Sequence, residues 1–362
     1  MFLSIVRKLR GGGVALLCAS AVVCPAAGQT KDSTAPPPVV VGGYVDAYYS
    51  YNLANPPSGT NQLRNFDVTH NQLVVSAAEV SVTRAASPVG FRVDADFGPT
   101  NDIVQSNATG SIANIGQAFI TYVAPLGNGL TIDAGKFVTH MGIEVIKAKD
   151  DYNYSRSILF AYAIPYYHLG ARASYPVSTM LTVNGYLLNC WNGVPTTSQK
   201  TFGFSAVFTP ISVLSVTGNW IGGRALPDTV SKKFRNVGEV IVSYQAAEAV
   251  VLAADGVYGQ ENLPSGVALW KGIAGYARYA VCAQSALTLR GEVYSDPQGY
   301  TTGTVQDIKE VTFTYEYKGL SNLILRGEYR YDWSGAVVYD GSGGQRTRRN
   351  QATIAAGAIV VF

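Results

Sequence analysis

The chain has 362 residues, 27 Lys+Arg against 24 Asp+Glu, 14% charged residues, 38 Gly and 23 Tyr. The basic excess is Arg7, Lys8 and Arg10; without residues 1–28 the charges balance, so no nucleic-acid partner is implied. Past the N-terminus no run of about 18 apolar residues occurs, which excludes a helical membrane protein.

Residues 1–28 read as a secretory signal: a basic start, an apolar core over Gly13–Val23, and small residues at Ala26-Ala27-Gly28 before Gln29. Cys18 and Cys24 leave with it. Cys190 and Cys282 remain, too few for a disulfide framework and expected unpaired at opposite ends of the fold. Residues 29–38 form a short Pro-rich periplasmic leader, too small for a plug, and 39–362 form one domain.

From Val39 onward, period-two segments follow one another. They lie near 40–52, 70–84, 89–98, 114–124, 129–140, 166–176, 179–190, 200–209, 212–222, 235–245, 248–259, 268–281, 284–296, 306–318, 321–333 and 349–362. Their connections alternate. Long ones (53–69, 99–113, 141–165, 191–199, 223–234, 260–267, 297–305 and 334–348) are separated by tight turns such as Ala85–Pro88 and Gly319–Leu320. Short periplasmic turns with longer outer loops predict an all-β, transmembrane, up-and-down antiparallel barrel of about sixteen strands.

The stretch Leu323–Trp333 shows the pattern best. Leu323, Leu325, Gly327, Tyr329, Tyr331 and Trp333 fall on one face, and Ile324, Arg326, Glu328, Arg330 and Asp332 on the other. Arg92, Asp94 and Asp96, and likewise Arg290 and Glu292, repeat it. Charge near the midplane of a lipid-facing surface costs about 2–4 kcal/mol for Arg or Lys, so this face must be wet. Arg92, Asp94, Asp96, Arg290, Glu292, Arg326, Glu328 and Arg330 are therefore expected on a lumen wall, lining a solute path, bracing neighbouring strands, or both. The faces of 70–84 and 248–259 stay open. Phe362 ends the last segment and reads as a terminal assembly signal.

Several segments carry a resemblance: G-Y-V-D-A-Y-Y-S-Y-N at Gly43–Asn52, L-R-N-F-D at Leu63–Asp67, G-K-F-V-T-H-M-G-I-E-V at Gly135–Val145, N-Y-S-R-S at Asn153–Ser157, P-Y-Y-H-L-G-A-R at Pro165–Arg172 and N-C-W-N at Asn189–Asn192. In order and spacing the chain resembles the OmpL-like family of outer-membrane β-barrel porins. The resemblance implies a diderm outer membrane and a passive channel role, with no defined catalytic residues and no agreed substrate.

Met141–Pro165 is the longest connection and the third outer loop. By analogy with sixteen-stranded porins it is expected to fold inward, with Glu144, Asp150 or Asp151 opposed to Lys136, Arg156 or Arg172 across a constriction. A loop lying over the rim is the alternative. Tyr44, Tyr48, Tyr49, Tyr51, Tyr166, Tyr167, Trp191, Trp220, Tyr329, Tyr331 and Trp333 read first as interfacial girdles and second as a sugar track. His70, His140 and His168 are expected as rim residues; no nucleophile motif accompanies them, and no metal or cofactor is called for. The expected function is passive diffusion of small hydrophilic solutes through the outer membrane, filtered by lumen size and charge, without enzymatic chemistry. Outer-membrane lipid, the barrel assembly machinery during insertion and a second copy of the chain are the partners it admits. The alternative function is an adhesion barrel with a closed lumen and functional outer loops.

Overall fold

The computed structural model describes residues 36–106, 108, 110–192, 200–225 and 234–362. The expected signal peptide and most of the leader lie outside the described residues.

Strand β1 spans Val39–Asn52, β2 Leu73–Arg84, β3 Val89–Phe97, β4 Ile115–Ala124, β5 Leu130–Val138 and β6 Tyr167–Pro176. They continue as β7 Leu181–Leu188, β8 Thr201–Ile211, β9 Leu214–Gly223, β10 Arg235–Ala247, β11 Val250–Leu263 and β12 Gly266–Cys282. The last are β13 Ser285–Asp296, β14 Gln306–Leu320, β15 Leu323–Ser334, β16 Tyr339–Gly341, β17 Gly344–Arg348 and β18 Asn350–Val361. All except β16 and β17 form one closed antiparallel barrel of sixteen strands, in which β18 sits between β15 and β1. Closure leaves no edge carrying unpaired backbone groups, the condition for crossing hydrocarbon with strands.

Each barrel strand matches one expected segment, with ends moved by a few residues. The connections depart more. Alternation continues past the expected ends of β11 and β12, so the long loop read at 260–267 is a tight turn at Pro264-Ser265, with Gly266 at φ +138°. The last outer loop holds the hairpin β16–β17, and the second holds a short helix α1, Pro99–Val104.

Inside and outside follow the two-residue period. Along β14, Ile308, Glu310, Thr312, Thr314 and Glu316 are buried, whereas Lys309, Val311, Phe313, Tyr315 and Tyr317 are exposed. On β15, Arg326, Glu328, Arg330 and Asp332 point inward, and Leu325, Tyr329 and Trp333 outward. The open cases resolve too: Glu79 on β2 and Asp255 on β11 are buried on the inner face.

The ends meet along β1 and β18, from Tyr44 opposite Val361 to Asn52 opposite Thr353. Gly43 and Phe362 exchange both backbone hydrogen bonds at 3.0 Å. A Cβ on Gly43 would lie 2.2 Å from the Glu79 carbonyl oxygen and 2.6 Å from Phe362 Cζ, so only glycine lets the terminal ring lie there. Cys190 and Cys282 are not joined in a disulfide, one following β7 at the long-loop end and the other closing β12 at the short-turn end.

Candidate functional site

Residues 139–166, between β5 and β6, enter the barrel. Met141, Ile158, Leu159 and Phe160 are buried, packed with Phe66 of the first outer loop and with Trp270, Tyr276 and Tyr294 of the wall, while Tyr154 is buried in a second cluster with Tyr44, Tyr48 and Ile359. Three glycines on the inner wall make room for the segment. A Cβ on Gly357 would lie 2.5 Å from Tyr154, one on Gly272 2.6 Å from Leu159, and one on Gly203 3.0 Å from His140.

An irregular chain buried in this way must find partners for its peptide groups, and the wall charges supply them. Glu239 accepts from Gly142 N at 2.9 Å and Asp255 from Ile143 N at 3.3 Å. Glu292 accepts from Ile158 N at 2.7 Å and Leu159 N at 2.5 Å, and Glu328 from Tyr154 N at 2.7 Å and Ser155 N at 3.0 Å. Guanidinium groups donate to the carbonyls: Arg290 to Ser155 at 2.7 Å, Arg330 to Arg156 at 2.6 Å, and Arg326 to Asn153 at 3.0 Å and to Ala148 and Asp151. The expectation that this wall face is wet is therefore corrected for Arg290, Glu292, Arg326, Glu328 and Arg330: protein rather than water satisfies them. Arg92 and Asp94 pair at 2.9 Å, and Asp94 also binds Lys147 of the segment at 2.9 Å. Asp96 faces the same interior opposite Glu79.

The expected constriction residues are arranged differently from the expectation. Glu144 accepts from Arg290 Nη1 at 2.6 Å and from Ser157 N at 2.6 Å, and so opposes none of Lys136, Arg156 and Arg172. Lys136 donates to Gln105 Oε1 at 2.7 Å and to carbonyls of Ile112 and Ile115; Arg172 binds Asp133 on the adjacent strand at 2.7 Å. Asp150 binds Lys149 at 2.8 Å. Only Asp151 and Arg156 meet, 3.3 Å apart and both within the segment. The cross-lumen pairing fails because the wall already holds complementary charge closer to hand. Sequence reasoning missed Glu239, Asp255, Glu310 and Lys147. For Glu239 and Asp255 the signal is a lone acid in the middle of a strand otherwise apolar or small, but the sequence leaves the face of 248–259 open.

Two of the three histidines are corrected as well. His140 and His168 lie inside, 6.0 Å apart by ring centroids, with His140 stacked on Tyr186 at 4.0 Å. His140 Nε2–H donates to the Trp220 carbonyl at 3.2 Å, and burial pushes its pKa down to about 4 against that bond. His70 accepts from Asn52 N at 2.9 Å. Of the aromatics, Tyr49, Trp220, Tyr329 and Trp333 are exposed on the outer wall as a girdle requires. Tyr44, Tyr48, Tyr166, Tyr167 and Trp191 are buried, which corrects the girdle reading for these five and leaves no open face for a sugar.

The family model described as "Putative beta-barrel porin-2, OmpL-like" matches residues 38–362. The chain belongs to this OmpL-like porin family. It is an outer-membrane β-barrel of the porin type, and the segment 139–166 lies within the lumen of this OmpL-like barrel. No curated protein matches it. Solved structures share the fold: OmpT of Vibrio cholerae at 14% identity (TM-score 0.59, covering 90% of this chain and 97% of that one), and the channel DcaP of Acinetobacter baumannii at 12% (0.59, 92% and 99%). The anion-selective porin of Comamonas acidovorans is similar at 10% identity (TM-score 0.60, 90% and 99%).

Proposed function

We propose that this barrel passes small hydrophilic solutes by passive diffusion and that residues 139–166 set its bore. The observation that carries the reading is the docking of that segment: four wall carboxylates hold its amides and three arginines its carbonyls. Such a fixed obstruction gives a lumen of constant shape, which filters by size and charge without covalent chemistry. Asp150, Asp151, Arg156 and Arg172, together with Glu144 and Lys136, act on this reading as the frame of the constriction and not as opposed rows.

Liposome swelling with sugars of graded size tests it. Uptake that falls with solute radius is expected. The closeness of the packing around Ile158 and Leu159 favours one other reading, a closed adhesion barrel, and vesicles that never swell would select it. One OmpT structure is a trimer form; for this chain we expect a homo-oligomer, measurable by light scattering in detergent. Insertion by the barrel assembly machinery into outer-membrane lipid, with Phe362 in the terminal signal, completes the proposal.

A further inference from the structure

We infer that the lumen below the inserted segment is a cationic vestibule that favours small anions, such as carboxylates and phosphate, over cations. The inference deepens the pore reading and rests on it. The short turns mark one end of the barrel, periplasmic in barrels of this kind. Near that end four strands turn a basic side chain inward: Arg92 on β3, Arg172 on β6, Arg278 on β12 and Lys318 on β14. Lys147 and Lys149 reach toward it from the segment above.

Each of these cations has an acidic partner, and the partners lie at unequal depth. The Arg92 side chain is 34% exposed and that of Asp94 0%; Arg278 is 21% exposed, and Glu316, which it binds at 2.8 Å, 3%. Arg172 is likewise more exposed than Asp133, and Lys147 more than Glu79. Glu316 alone takes Arg278, Lys318 at 3.2 Å and Arg326 at 2.7 Å, so one buried carboxylate faces three cations. The pair Lys149–Asp150 is the exception, with the acid more exposed than the base. Glu79 and Asp96 lie deeper, beside Lys147.

A buried carboxylate with a half-exposed cation in front of it is a dipole whose positive end meets the water. A ring of such ends raises the local concentration of anions and lowers that of cations, because low-dielectric walls focus the field into the lumen. The deeper carboxylates, Glu239, Asp255, Glu292 and Glu328, are each occupied by peptide N–H groups and are closed off from solvent. The charge a passing ion meets at close range is therefore basic.

The test is the reversal potential of the purified barrel in a planar bilayer across a steep KCl gradient. The expected sign is that of chloride preference. Arg278→Gln and Lys318→Gln should each lower the anion-to-cation permeability ratio by about twofold, the scale for one charge acting through water over several ångström. Asp150→Asn, which removes an acid more exposed than its lysine partner, should raise it. That opposite sign separates field from misfolding. Conductance with no preference, or with potassium preference, overturns the charge inference and leaves the pore standing. Absence of conductance in folded protein overturns the pore, and this inference with it.

Discussion

A peptide N–H withdrawn from water and left without an acceptor costs about 1–3 kcal/mol, and Tyr154, Ser155, Ile158 and Leu159 each find their acceptor on a wall carboxylate. Glu292→Ala would strand two of these groups at once. The expected result is a loss of about 2 kcal/mol or more in unfolding free energy in detergent, with new protease cleavage between residues 139 and 166. Glu292→Gln keeps one acceptor oxygen and should lose less. His140 supplies a second prediction at this scale. Its folded pKa of about 4 lies below the ordinary 6.5, so the unfolded chain takes up the proton first as pH falls. Its contribution is therefore complete above about pH 6.5 and declines between there and pH 4, by at most roughly 3 kcal/mol. Melting in detergent across that range should be steeper in pH for the native chain than for His140→Gln; parallel curves would remove the histidine from the account.

The inserted segment fits its barrel because the wall leaves room for it. Gly357, Gly272 and Gly203 stand on separate strands, each under a side chain of the segment. Replacing Gly357 by Leu would drive a side chain into the space of Tyr154, whose hydroxyl donates to Asp46 at 2.9 Å. The expected outcome is a segment displaced from β18 within an intact barrel: unchanged β-sheet circular dichroism, altered single-channel conductance and faster proteolysis at Tyr154. A variant that cannot form the barrel at all would show that strand and segment fold as one. The strands were legible in the sequence because lipid outside imposes a two-residue period on every strand, and a period survives without knowledge of the partner strand. Glu144 shows where legibility ended. Its partner, Arg290, is 146 residues away and was visible as a charged wall residue, but pairing across a lumen depends on closure and depth, which no local pattern encodes. Nor do the wall glycines announce themselves, since each looks like any glycine of a strand.

At the scale of the whole molecule the barrel has a single seam. Every other strand pair joins neighbours in sequence or brackets the hairpin β16–β17, whereas β1 and β18 must find each other across the length of the chain. Their register is held at one end by the paired backbones of Gly43 and Phe362 and at the other by Asn52, whose side chain donates to Gln351 Oε1 at 3.2 Å. An open seam in hydrocarbon would expose a row of unsatisfied peptide groups, each costing several kcal/mol, so closure should be all or none. Gly43→Val puts branched carbons where the Phe362 ring and the Glu79 carbonyl now lie. The expected effect is a lower yield of folded barrel, read as the fraction migrating in the compact form on unheated gels, while the molecules that do close conduct as the native protein does. Phe362→Ala should lower the yield by relieving the contact from the other side. In the double variant Gly43→Val/Phe362→Ala the valine gains the space of the missing ring, and part of the yield should return. Strictly additive losses would mean that the ring serves recognition during insertion and has no part in holding the seam.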